Sequence, residues 1–372
     1  MGFISEYKQS QLLVNEKFDV IFFSEGRNYH IYFEPLFQEL LLKSNLKICY
    51  ITSDILDPVL NQKSEKFKAF YVKWMLGYVF SKLKADVMIM TMPDLNNYLY
   101  KRSAYVKKYI YLFHAAVSTH QQYKADAFFN YDTIFCTGNY QKNEIQATET
   151  LYKLPSKELI DYGYPLFDLL KRESNSNTNA SGVKRVLIAP TWYNQCILNT
   201  CINEIVEELS STGYELVIRS HPEYNKRNKK SYRKLKGKME GSNHIYFDEE
   251  PNVIDSLLKT DFLITDRSGI AFEFAFGMKK PVLFIDTPLK QTNNSMNKIQ
   301  IEPLENRIRN SIGICFELSE IGKIKEGLIH LENELPKFSN QINDMEDDIF
   351  FPSVKSVQNG FNYILFCCKK SD

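Results

Sequence analysis

The sequence predicts an α/β protein of two doubly wound, parallel-sheet domains facing one another across a cleft, and three observations carry that prediction. At 372 residues and 43.5 kDa the chain is too long for one ordinary core and suits two α/β domains. Short apolar runs bounded by turn residues alternate along it with longer helix-compatible stretches, the pattern of βαβ units. Between residues 171 and 185 this alternation stops at KRESNSNTNASGVKR, a polar Ser/Asn-rich stretch that reads as a linker. The division that follows is a first domain over 1–175, a second over 176–340, and a terminal segment over 341–372 whose apolar positions can pack back across both.

In chain order, the strands of the first half are FDVIFFSEG, KICYITS, DVMIMTMP, YIYLFHA, TIFCTG and ELIDYGYP. Those of the second are VLIAPTW, YELVIRSHP, HIYFDEE, FLITDRSG, PVLFID and IGICF. Helical segments lie between them. Before Tyr214, Ile202, Ile205, Val206 and Leu209 share one helix face, and Ser211-Thr212-Gly213 ends it. Residues 321–334 carry a second helical pattern.

Composition narrows the class. With 44% hydrophobic and 24% charged residues the chain falls among globular proteins rather than disordered or fibrous ones. Its apolar runs fall far short of the roughly 20 residues a membrane-spanning helix needs. The opening MGFISEYKQSQLL lacks the basic start, apolar run and cleavage site of a secretory signal, so a cytoplasmic location is expected. Seven cysteines are an odd number without zinc-type spacing, which points to buried thiols rather than disulfides or a metal site. Net charge is only +1, yet residues 219–238, RSHPEYNKRNKKSYRKLKGK, are densely basic with a single acid. Such a run is a solvated surface or a patch for anionic lipid headgroups or a polyanionic acceptor. Its few aromatics argue against nucleic acid.

In a parallel α/β sheet, polar residues placed just after a strand point toward the ligand crevice. Four places qualify. His114 follows YIYLF and precedes Ser118; a histidine there can serve as general base or pack against backbone. Arg219 and His221 precede Pro222, which enforces an extended exit and presents them to an anionic group or to solvent. Thr191 and Trp192 end another strand and can line a pocket, or Trp192 can plug the inter-domain surface. Asp266, Arg267, Ser268 and Gly269 form a turn into a helix, where free backbone N–H groups and Ser268 can meet a phosphate. Glu273 lies about one turn further on among phenylalanines, and a carboxylate there needs a partner, which ribose hydroxyls would supply. Capping by Asp266 or Ser268, with Glu273 reaching solvent, is the plainer alternative. Taken together these residues converge on one crevice from both domains.

The combination of FHAAVS, APTW, IRSHPEY and FDEEPNVIDSLLKTDFLITDRSGIAFEFAF followed by KKPVLF resembles the CDP-glycerol glycerophosphotransferase family, which primes or polymerises teichoic acids in bacteria. The likeness runs from about residue 20 to 290, and FFSEGRNY, with Gly26 and Tyr29, resembles the family's N-terminal Gly-x-x-Tyr segment. The resemblance implies a GT-B-type fold of two Rossmann-type domains, the first receiving the acceptor and the second the nucleotide donor. It implies His114 as the base that deprotonates the acceptor hydroxyl, and His221 with Arg219 steadying phosphates. Ser268 would hold the donor pyrophosphate, and Glu273 falls where the family has an acid. The implied reaction moves a polyol phosphate from a CDP-polyol to a lipid-linked or growing glycan, releases CMP and requires no cofactor; the basic stretch 219–238 would hold the enzyme at the inner membrane face. The sequence departs from the family at Ala115 (glycine), Ser118 (a basic residue), Tyr193 (arginine), and Arg267 and Gly269 within the Asp-Tyr-Ser-Ser motif. A GT-B glycosyltransferase using a nucleotide sugar, a UDP-sugar 2-epimerase (from TDRSGIAFE) and a non-catalytic scaffold are the competing readings.

Overall fold

A computed structural model describes residues 2–98, 100–174, 182–239, 241–288, 293 and 296–369. Seven strands build the first sheet: β1 (Lys17–Ser24), β2 (Ile48–Thr52), β3 (Phe67–Tyr71), β4 (Lys84–Met90), β5 (Val106–Leu112), β6 (Thr133–Cys136) and β7 (Glu158–Asp161). Six build the second: β8 (Arg185–Ile188), β9 (Glu215–Ile218), β10 (Ile245–Phe247), β11 (Phe262–Thr265), β12 (Val282–Asp286) and β13 (Gly313–Glu317). Every named strand pair is parallel, in the orders β3-β2-β1-β4-β5-β6-β7 and β10-β9-β8-β11-β12-β13. The order reverses between β1 and β4 in one sheet and between β8 and β11 in the other. Those are the switch points where doubly wound sheets open a crevice at their strands' carboxyl ends.

Burial explains why the apolar runs were readable. Ile48–Thr52, Thr133–Cys136 and Phe262–Thr265 are buried along their whole length, as expected of strands covered by helices on both faces. The sequence reading lacked β3. Its FKAFY run is interrupted by exposed Lys68, and it lies at the sheet edge, where one polar position costs nothing. The helix Ile202–Leu209 forms as its apolar spacing requires. The 321–334 pattern resolves into a 3₁₀ turn, Leu318–Lys323, and an α-helix, Ile324–Asn333. Within the linker prediction, residues 171–174 continue the helix Pro165–Ser174, and 175–181 lie outside the described residues.

The two domains share one apolar interface. Phe167 from the first packs against Phe276 from the second at 5.7 Å between ring centroids, and Phe350 covers both at 5.0 and 4.9 Å. The helix Leu335–Ile349 lies against the helix Leu304–Ile312 of the second domain, whereas Ser353–Cys368 returns to the first, beside the helix His30–Lys43, β4 and β7. All seven cysteines are free thiols, five of them buried.

Candidate active site

His114 stands two residues past β5, beside the end of β4. Its Nδ1 is 3.1 Å from the carbonyl oxygen of Thr91. A carbonyl only accepts, so Nδ1 carries the ring proton and Nε2 keeps a lone pair. Burial pushes the imidazole down to about 4, against a smaller upward pull from the Thr91 carbonyl, so the neutral, proton-accepting form holds at ordinary pH. Tyr29, Tyr32 and Tyr123 set their rings edge-on around it at 5.5, 6.1 and 6.5 Å. Tyr29 thus belongs to the wall that carries His114, and Gly26 starts the 3₁₀ turn Arg27–Tyr29 that places it.

Opposite, the second domain brings Glu273 to the same point. Tyr164, just after β7, donates to Glu273 Oε1 at 2.8 Å and lies 3.0 Å from the His114 carbonyl oxygen. One hydroxyl therefore joins the two expected site residues across the domain interface. Burial raises the Glu273 carboxyl to about 7, while the Tyr164 hydroxyl and the Arg219 charge pull it back. Glu273 opens a π-helical turn, Glu273–Gly277, directly after the short α-turn Ile270–Phe272; such turns re-aim side chains and concentrate at functional sites.

The turn Asp266–Gly269 divides its work. Asp266 is buried and accepts backbone N–H bonds from Thr191 and Arg267 at 2.8 Å and from Ile197 at 3.4 Å, with the Thr191 hydroxyl also at 3.4 Å. Both carboxylate oxygens face inward to these donors, and a carboxylate would repel a phosphate. It ties β11 to the loop after β8 at the switch point. Asp266→Ala should cost about 3–5 kcal/mol, because two buried N–H groups and a partly buried third lose their acceptor. A denaturant titration checks this, and a loss under 1 kcal/mol would deny Asp266 that role.

Arg267 turns toward the β12 edge, where Nη1 donates to Asn306 at 2.9 Å and Nη2 lies 3.4 Å from Asp286, which Arg309 also contacts. Burial and the Arg309 charge lower its guanidinium affinity for protons. Ser268 is half-buried, and its hydroxyl has no hydrogen-bond partner among the described residues. Gly269 meets the other wall: a Cβ there would stand 3.1 Å from Val117 Cγ1 and 3.3 Å from Ala115 Cβ. Two departures from the family pattern, an added methyl at 115 and a lost side chain at 269, thus face one another and offset in volume. Gly269→Val should destabilise the fold by about 1–3 kcal/mol, with part of the loss recovered by adding Val117→Ala. Identical unfolding midpoints for single and double variants would refute that coupling.

Arg219 is held by the protein itself. Its Nη1 pairs with Asp248 at 2.7 Å and reaches Ser256 at 3.3 Å, and Nη2 donates to the Pro251 carbonyl at 3.3 Å. Instead of reaching freely for phosphate, it supplies positive potential from a fixed position, felt at Glu273. His221 caps the helix Pro222–Arg227, its Nδ1 accepting from the Glu223 N–H at 3.1 Å, which leaves the Nε2 side as donor. Trp192 lies beside the His221 ring at 6.4 Å and under the Arg227 guanidinium at 4.7 Å.

Ser118 packs between the two domains. It is fully buried in the domain joint, where its hydroxyl accepts the Leu304 N–H at 2.6 Å and its own N–H donates to Glu305 at 3.1 Å. Thr191, with its N–H and hydroxyl given to Asp266, is likewise a fastening rather than an open lining group. The sequence reading missed Tyr164, Tyr32 and Glu25. Glu25 follows β1 at the switch point; confinement by the surrounding walls raises its carboxyl, and it feels Lys226 and Glu223 across the crevice. Glu25 and Tyr164 stand just after strands, the signal used for His114, whereas Tyr32 lies in the first turn of the helix His30–Lys43. Tyrosine and glutamate are common enough there that the signal alone did not select them.

Among the described residues no cluster of His, Cys, Asp and Glu could hold a metal ion, and no helix is long and apolar enough to cross a membrane. Within the basic stretch, Lys226 and Arg227 pair with Glu223 and Lys236 with Glu249. Lys229, Lys230, Arg233 and Lys234 are exposed, with no ion pair among the described residues.

The overall arrangement is similar to that of UDP-GlcNAc 2-epimerase from Neisseria meningitidis bound to UDP-GlcNAc, at 16% identity and TM-score 0.61, covering 94% of this chain and 99% of that one. S. aureus MnaA, in its UDP co-structure, is similar at 14% identity and TM-score 0.60, covering 95% and 97%. WaaG, a glycosyltransferase involved in lipopolysaccharide biosynthesis, is similar at 9% identity and TM-score 0.50, covering 93% and 99%. At these identities the likeness shows the fold, the GT-B arrangement of two parallel-sheet domains. No curated protein sequence matches the chain. Residues 6–295, well over half of the 372, match the family described as CDP-Glycerol:Poly(glycerophosphate) glycerophosphotransferase, and the chain belongs to that family.

Proposed function

We propose that this transferase moves glycerol phosphate, or a similar polyol phosphate, from a CDP-polyol to a hydroxyl of a lipid-linked or growing surface glycan, releasing CMP. The observation that carries the reading is the Tyr164 hydroxyl, 3.0 Å from the His114 carbonyl and 2.8 Å from Glu273, which sets the base of one domain against the carboxyl of the other. His114 Nε2 takes the proton of the acceptor hydroxyl as its oxygen bonds to the polyol-bearing phosphorus. The bond from that phosphorus to the bridging oxygen breaks, and the electron pair leaves on CMP. His221 Nε2–H and Ser268 donate to the phosphate oxygens, Arg219 stabilises the charge from its anchored position, and Glu273 accepts from the ribose. Positioning and charge stabilisation supply most of such a rate, and no metal or other cofactor is required in this scheme. The bacterial enzyme would work at the cytoplasmic face of the membrane, with the exposed cations of the 219–238 stretch toward anionic headgroups.

The test is incubation with CDP-glycerol, CDP-ribitol or UDP-sugars and a lipid-linked acceptor, following free nucleotide. Acceptor-dependent CMP release supports the reading. UDP release or an epimerised UDP-sugar would replace it with sugar chemistry on the same fold, and tight nucleotide binding without turnover would replace it with a scaffold.

A further inference from the structure

At the crevice end of the first sheet, three segments converge on the β2–β3 edge and expose large apolar side chains. The helix Phe3–Asn15 enters β1 through the single residue Glu16, so it runs antiparallel to the strand and its first turn lies near the strands' carboxyl ends. Its inner face buries Glu6, Ser10, Leu13 and Val14, whereas Phe3, Ile4 and Tyr7 are exposed, Ile4 by 74%. Trp74, 73% exposed, and Tyr78 follow β3; Ile55 and Leu56 follow its neighbour β2. The first and last of these segments are locked together. The Glu6 carboxylate accepts the backbone N–H groups of Lys73, Trp74 and Met75 at 2.8, 2.6 and 2.9 Å, and Gln11 donates to the Tyr78 hydroxyl at 3.2 Å.

Charge at this tip is one-sided. Residues 2–15, 53–57 and 72–82 contain the acids Glu6, Asp54 and Asp57. Glu6 and Asp57 are buried, and Asp54 pairs with Arg27 at 3.3 Å. Lys8 and Lys73 are exposed with no ion pair among the described residues, and Lys73 Nζ sits 5.8 Å from the centre of the Trp74 ring. Tryptophan and tyrosine side chains favour the boundary between water and hydrocarbon, and cations without nearby acids favour anionic headgroups. A polar protein surface would satisfy neither preference.

We propose that this tip docks on an anionic bilayer, with Trp74, Phe3 and Ile4 entering the headgroup region and the lysines contacting lipid phosphates. This deepens the proposed transferase, on whose lipid-linked acceptor its purpose rests, because a bilayer at the carboxyl ends of the strands would deliver that acceptor to the crevice mouth. Docking itself needs no turnover, so it is tested without substrate.

Sedimentation with phosphatidylcholine vesicles, with and without phosphatidylglycerol, reads it directly. The full chain is expected to bind the anionic vesicles. Trp74→Glu and Ile4→Glu, both at exposed positions, should each lower binding about tenfold while leaving the thermal midpoint and CDP-glycerol binding unchanged. Unbound wild-type protein would overturn the proposal. So would full binding by Trp74→Glu alongside loss of binding when Lys230 and Lys234 are reversed to glutamate. Dissociation of a dimer by Trp74→Glu, without any change in vesicle binding, would make the patch a protein interface instead. Failure of the transferase reading shows separately, as absence of CMP release with any acceptor.

Discussion

His114→Gln should lower kcat for CMP release by about 10²–10⁴, the range a positioned general base contributes, while leaving CDP-glycerol binding within a fewfold. Glutamine keeps a donor toward the Thr91 carbonyl, 3.1 Å from Nδ1, but offers no basic nitrogen. The pH profile gives a sharper check. Because burial pushes the imidazole down to about 4, the His114 limb of kcat should lie well below the usual histidine range, with the base still neutral at pH 6. Stability follows the same linkage: the folded site resists a proton that the unfolded chain accepts near pH ~6.5. The favourable contribution is complete above that value and is lost as pH falls toward 4. The His114→Gln protein should therefore lose less stability than wild type over this interval. A kcat limb near 6.5, or unchanged kcat in His114→Gln, would remove His114 as the base.

The fold was legible because fully buried parallel strands leave continuous apolar runs, as in Val282–Ile285, which do not depend on partners distant in sequence. FKAFY was not, since a lysine on an exposed edge breaks the run without harming the strand. Strand ends likewise singled out His114, His221 and Ser268 as candidates, with Glu273 about one turn further on. What stayed hidden was the use of each side chain. Asp266 and Ser268 are two residues apart on one turn, yet one faces the β8 loop and the other is half-buried at the surface. Ser118 and His114 are four residues apart, yet Ser118 holds the start of the helix Leu304–Ile312. Such partners lie 75 and 186 residues away in the chain, so local pattern contains no trace of them.

The domain joint itself bears on mechanism. Phe167, Phe276 and Phe350 make the interface apolar, and Gly269 brings its backbone against Ala115 and Val117. Within that tight approach Tyr164 has one proton for two acceptors, the Glu273 carboxylate and the His114 carbonyl. An ionised Glu273 claims it; a protonated Glu273 can donate to the Tyr164 oxygen and free that proton for His114. The charge state of Glu273 is thereby coupled to the segment that carries His114.

Donor recognition should show that charge state. With its carboxyl raised to about 7 by burial, Glu273 would, in the proposed reaction, accept ribose hydroxyls as a carboxylate above that pH and lose the charge assistance below it. KM for CDP-glycerol should therefore rise as pH falls through 7, at a pH where the His114 limb of kcat is still flat. Glu273→Gln retains an oxygen to accept from Tyr164 and removes the buried charge, so the fold should persist. Its KM should rise about 10–100-fold above pH 7, the equivalent of the ~1.5–3 kcal/mol carried by a charged hydrogen bond, and should become independent of pH. The direction is fixed by physics: a neutral amide cannot gain what deprotonation gives the carboxylate. An unchanged KM in Glu273→Gln, or a KM limb near 7 that survives the substitution, would place the ribose elsewhere and leave Glu273 as the inter-domain partner of Tyr164.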